Sequence, residues 1–114
     1  MTAFEMFAMA NLRPRQTGLE AVVIYCSQGE FGGKSSPHGP RVKVYLGERL
    51  TREQLAEPII VKLSQPPQVV VGELDGKTKK QVFAFLEKNH ALLLRYWNDL
   101  DMDLQDLLDG IKKV

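Results

Sequence analysis

The spacing of apolar and polar positions changes several times along this chain, and each spacing predicts an element. Glu20–Cys26 is a β-branched and aromatic run, apolar on both faces, which predicts a central strand. Pro40–Leu46 alternates: Val42, Val44 and Leu46 point one way, and Arg41, Lys43 and Tyr45 the other. Period two predicts a half-buried strand with a cationic outer face. Pro58–Ser64 and Gln68–Leu74 predict two further strands. Between them Gln65-Pro66-Pro67 must be a loop, because proline denies the ladder a donor.

From Thr78 the period becomes helical. At 100° per residue, Val82, Phe83, Phe85, Leu86, Leu92, Leu93, Leu94, Tyr96 and Trp97 share one arc, and Lys80, Ala84, Glu87, Lys88, Ala91 and Arg95 the other. Thr78 and Gln81 have capping-box spacing, and Asn98 can end the helix. Asn89 and His90 fall within the apolar arc. Asn89 is expected to satisfy a backbone group, and His90 to be a hydrogen-bonded histidine of the core or its boundary. A short helix is predicted from Asp103, with Leu104, Leu107, Leu108 and Ile111 inward. Its aspartates and lysines are placed as the helix dipole prefers.

Residues 1–12 predict a short helical turn. Arg13–Gly18 is expected to be extended, since Pro14 disfavours helix at Arg13. Gly47–Glu57 is polar, with a helical turn capped by Thr51 and Gln54. Strands first and helices afterwards predict an α+β fold. The sheet is expected to be a four-stranded, mainly antiparallel meander, with the long C-terminal helix and the short final one on one face. One domain is expected over residues 1–114: an arm at 1–18, the sheet at 20–74 and helices at 78–112.

Composition changes this picture little. With 114 residues, 44% apolar and 25% charged, the chain reads as an ordinary globular domain. Net charge is +1, but unevenly spread: residues 1–98 carry 13 Lys/Arg against 9 Asp/Glu, and residues 99–114 carry 2 against 5. A mildly basic body can bind an anion or a protein partner. Cys26 is the only cysteine, which leaves no intramolecular disulfide and no thiol zinc site; it is expected to be a small core residue. Glu5 interrupts the N-terminal apolar stretch, so a signal peptide is not expected, and no apolar run is long enough to span a bilayer. A cytoplasmic protein without membrane contact is the expectation.

Candidate chemistry concentrates in the glycine-rich segment before the alternating strand. Gly33-Lys34-Ser35 matches the end of a phosphate-binding loop. The pattern then fails: Gln28 stands where the first glycine belongs, and Pro37, Gly39 and Pro40 forbid the helix whose amides would hold phosphate. What remains is a loop presenting Lys34 and His38 beside Arg41 and Lys43. His38 is the catalytic candidate, a general base with Arg41 or Lys43 stabilising developing charge, though no acid partner is identifiable. Arg13, Arg15, Lys34, His38, Arg41 and Lys43 form the candidate anion- or partner-binding set, with Tyr25 and Tyr45 as stacking groups.

The acidic run from Asp99 fails as a calcium loop, having Leu104 and Gly110 where glycine and glutamate are required. No metal or cofactor is expected. The apolar residues Phe4, Met6, Phe7 and Met9 either cover an end of the sheet or make a partner or dimer contact.

The order of an apolar strand, a Pro37-His38 loop, Arg41-Val-Lys-Val-Tyr-Leu-Gly47, Val69-Val-Val-Gly-Glu-Leu74 and a helix ending Asn89-His-Ala-Leu-Leu-Leu-Arg-Tyr-Trp-Asn98 resembles a family of small bacterial proteins of unknown function. Some of its members are described as the toxin half of a toxin–antitoxin pair. The resemblance spans roughly residues 20–110 and implies a cytoplasmic setting and a small protein partner. The family shows Pro-His-x-His, and here Pro40 stands in place of the second histidine, which puts two-histidine chemistry in question. The leading expectation is a non-enzymatic interaction module binding an acidic protein or nucleic acid through its basic strand and loop. The alternatives are a metal-independent RNA-cleaving toxin using His38, and a structural homodimer.

Overall fold

The computed structural model describes residues 9–27, 39–47, 57–99 and 101–114. Lys34, His38, residues 1–8 and the turn expected at Thr51 lie outside them.

The fold is α+β, with helices packed on an antiparallel sheet. Among the described residues the sheet has five strands rather than four: β1 (Met9–Leu12), β2 (Val22–Ser27), β3 (Arg41–Leu46), β4 (Ile59–Lys62) and β5 (Gln68–Val71). They lie in the order β1-β2-β3-β4-β5, each antiparallel to the next. The meander is as expected. The fifth strand comes from the segment expected to be helical. Leu12 pairs with Ile24 and is fully buried, so tertiary pairing overrides the helix-forming alanines and methionines around it.

The link from β1 to β2 also departs from expectation. Arg13 is extended, as Pro14 requires, but Pro14–Thr17 then closes a helical turn, α1. Gln16 Oε1 accepts from the Arg13 N–H at 2.8 Å. Gly18 ends the turn with φ 79°, and a Cβ there would meet the Val114 carbonyl oxygen at 3.0 Å.

The predicted long helix is present as α2 (Gly76–Lys88) and α3 (His90–Asn98), broken at Asn89. Its cap is Asp75, not Thr78. Asp75 Oδ1 accepts from the Thr78 N–H at 2.8 Å and Oδ2 from the Thr78 hydroxyl at 2.9 Å. These bonds, the backbone one foremost, hold the Asp75 carboxyl below its usual range. Thr78 therefore serves its cap from inside the helix. The final helix, α4 (Leu104–Gly110), starts as predicted at Asp103, whose Oδ1 accepts from the Asp106 N–H at 2.8 Å. Leu107 is buried, but Leu104 is 46% exposed and does not face inward as expected.

One layer of side chains joins sheet and helices. Leu12, Ile24, Cys26, Val42, Val44 and Val61 from the strands meet Val82, Phe85, Leu86, Leu93, Tyr96 and Leu107 from the helices. Every helix residue predicted to face water, from Lys80 to Arg95, is exposed. No helix among the described residues is long and apolar enough to cross a membrane.

Candidate interaction surface

Antiparallel register assigns side chains to faces. Ile24 opposes Val44, and Cys26 opposes Val42, which opposes Val61; all are on the helix side. The alternate positions form the second face. One row across it reads Asn11, Tyr25, Lys43, Ile60 and Val71; the next pairs Arg41 with Lys62 and Lys62 with Gln68.

Strand geometry sharpens this. The Leu63 N–H donates to the Pro40 carbonyl at 2.9 Å, so Pro40 and Leu63 are a hydrogen-bonded pair. Alternation then makes Arg41 and Lys62 a non-hydrogen-bonded pair, the closer kind, with Cα atoms ~4.5 Å apart. Lys43 lies diagonal to Lys62, at roughly 7–8 Å. Lys43 and Lys62 therefore share one end of the second face, beside the strand position of Arg41. The five strands contain no aspartate or glutamate at all. The ion pair found among the described residues, Arg95 with Asp99 at 4.0 Å, is on α3 and exposed.

Arg41 has a further task. As the first residue of β3 it lies at the end of the sheet, where its guanidinium sits 5.4 Å from the centroid of the buried Trp97 ring. Its Nη1 also donates to the Gly39 carbonyl at 3.4 Å. Tyr45, expected on a solvated face, is only 5% exposed. Its ring meets Tyr25 edge-on, with centroids 5.1 Å apart. Burial, and then the neighbouring Tyr25, push the Tyr45 phenol above its ordinary pKa. It is a packing residue rather than an open stacking platform. Asn11, beside Tyr25, holds a buried side-chain oxygen with no hydrogen-bond partner among the described residues.

Among the described members of the predicted set, Arg13 and Arg15 stand apart from Arg41. Arg13 and Arg15 are exposed on α1. Leu12 is level with Val44, three residues along β3 from Arg41 and two strands away. That places the α1 arginines beyond roughly 14 Å from Arg41, at 3.3 Å per residue and 4.8 Å per strand. Lys62 was not in the predicted set, yet it stands directly opposite Arg41. Its only local signal is the polar end of an apolar run; its neighbour is set by strand order.

No protein-family model, curated protein or solved structure matches this chain. The likeness read from the Pro37-His38 loop and the Asn89–Asn98 segment therefore carries no family assignment, and the surface must be read from its own chemistry.

Among the described residues, the groups with reactive side chains are already engaged or buried. His90 donates Nε2–H to the Leu63 carbonyl at 3.2 Å and ties α3 to the end of β4, as a boundary histidine should. Cys26 is buried in the core, and burial pushes its thiol up to about 12, so it is no nucleophile. No cluster of three metal-ligating side chains occurs among the described residues.

Proposed function

We propose that this chain is a non-catalytic interaction module that receives an acidic protein segment on the second face of its sheet. The observation that carries the reading is Lys43 and Lys62, diagonal neighbours on adjacent strands in a sheet whose strands hold no carboxylate. Like charges held this close raise each other's cost, and an incoming carboxylate relieves it. Half-buried Ile60 and exposed Val71 flank the lysines, so apolar contact can accompany the charge. Nucleic acid is less well matched. A phosphate backbone favours a longer track of cations, and stacking needs an open ring where Tyr45 is buried.

The test compares a polyglutamate peptide with an oligothymidylate, followed by the emission of Trp97. The peptide should bind, more weakly as salt rises. A Lys43→Glu/Lys62→Glu double variant should lose that binding while keeping a native thermal transition. Unchanged binding in the double variant overturns the assignment of the surface. Tighter binding of oligothymidylate than of the peptide overturns the choice of partner.

A further inference from the structure

A second feature lies at the opposite edge of the sheet from β1. Among the described residues β5 pairs only with β4. Hydrogen-bond alternation, set by the Leu63–Pro40 bond, turns Val61 toward β3 and Lys62 toward Gln68 of β5. Val69, opposite Val61, therefore directs its N–H and carbonyl away from the sheet. These groups form an unpaired edge of the kind that accepts another strand.

The same edge borders an open groove of about 440 Å³ lined by Pro67, Gln68, Val69, Lys79 and Phe83. Val69 and Phe83 give its lining an apolar part, and the Lys79 ammonium lies 5.6 Å from the centroid of the Phe83 ring. Lys77, Lys79 and Lys80 crowd the first turns of α2, with no acidic residue in the first turn. Cations at a helix N-terminus oppose the macrodipole and are unfavourable unless something negative sits nearby. Glu73 and Asp75 precede them, and the Asp75 carboxylate is already engaged by Thr78.

We infer that the β5 edge takes a short extended segment of an acidic partner by strand addition. Such a strand pairs with Val69. Its helix-side side chains, two residues apart, place an apolar group in the Val69–Phe83 groove and, on either side of it, carboxylates facing Lys79. A second copy of this chain fits poorly, because pairing β5 with β5 would bring two lysine-bearing α2 helices together. The four-residue length, the register shift between Ile60 and Val61, and Pro66 and Pro67 ahead of the strand limit pairing to a short segment. This docking uses the edge and groove, not the Lys43–Lys62 face, so either proposal can fail alone.

The experiment adds a capped peptide with the repeat Glu-Thr-Val-Thr, which puts valine and glutamate on one face, to the full chain, followed by amide NMR and hydrogen exchange. Binding should slow exchange of the Val69 N–H and shift the resonances of Phe83 and Lys79. Lys79→Glu, an exposed substitution, should weaken binding about tenfold, whereas Lys43→Glu should leave it unchanged. The same peptide with lysine in place of glutamate should not bind. Equal binding by that peptide, an unaltered Val69 exchange rate, or a dimer paired through β5 without peptide would each overturn the inference.

Discussion

Asn89 and Lys112 hold each other through both sides of one residue's backbone. Asn89 Nδ2 donates to the Lys112 carbonyl at 2.9 Å, and Asn89 Oδ1 accepts from the Lys112 N–H at 2.8 Å. Nδ2 also reaches the Phe85 carbonyl at 3.1 Å. Around this clasp, Lys88 Nζ donates to the Lys113 carbonyl at 2.8 Å and the Val114 N–H to the Thr17 carbonyl at 3.0 Å. The segment after α4 is thereby strapped between α1 and the α2–α3 junction. Asn89 is 3% exposed, so its loss leaves polar groups stranded. Asn89→Ala should cost about 2–3 kcal/mol in urea unfolding. Exchange of the Lys112 amide should quicken more than that of Val44.

Arg41 and Trp97 provide a spectroscopic test of how β3 is tied to α3. Trp97 is the only tryptophan in the chain, and it is buried under the Arg41 cation. Arg41→Met keeps an apolar stem but removes the charge. It should lower stability by about 1 kcal/mol and change Trp97 emission. Emission and stability unchanged from the parent protein would rule out an energetic role for the contact.

Cys26 links burial to alkaline stability. Its folded pKa is raised from 9.0 to about 12. The folded state therefore holds a proton that the unfolded state has released. The stability associated with the buried thiol is fully present below pH 9.0 and is lost as pH rises toward 12. The raised phenols of Tyr45 and Tyr96 act in the same direction. Across that window Cys26 should contribute a slope of about −1.4 kcal/mol per pH unit. In Cys26→Ala the slope should be shallower by that amount. A native thiol that reacts with Ellman's reagent at pH 8 as fast as an unfolded one would contradict its burial.

Asn11 predicts a gain rather than a loss. Its buried oxygen, without a partner among the described residues, carries a desolvation cost, and its strand position suits a β-branched residue. Asn11→Val should raise stability by about 1 kcal/mol, read as a higher urea midpoint at unchanged m-value. A lower midpoint would mean that the oxygen is satisfied in solution.

Much of the fold was legible from patterns of two to four residues. The alternation of Val42 and Val44 with Arg41 and Lys43 placed β3 and its faces. The arc from Val82 to Trp97 placed the helix that covers the core. Asn89 was read as a residue satisfying the backbone, which it does. The misreadings have two causes. The cap at Asp75 and the turn at Pro14–Thr17 are local, made by the Asp75–Thr78 and Arg13–Gln16 bonds three residues apart, and their spacing was there to be read; β1 depends on what the segment meets in space. Methionine and alanine around Leu12 favour helix locally, and only pairing with β2 makes them strand. Tyr45 looked exposed because period two assigns a face but does not say what lies over it.

Local chemistry was enough to settle the α+β class, the antiparallel meander, the buried character of Cys26 and the amphipathic helix, because each follows from spacing along the backbone. Which cations meet was another matter. Lys62 faces Arg41 across a strand pair while Arg13 and Arg15 lie elsewhere, and Val69 is left as an open edge beside Lys79. Those relationships depend on register and strand order, where residues some twenty positions apart become neighbours at about 4.5 Å.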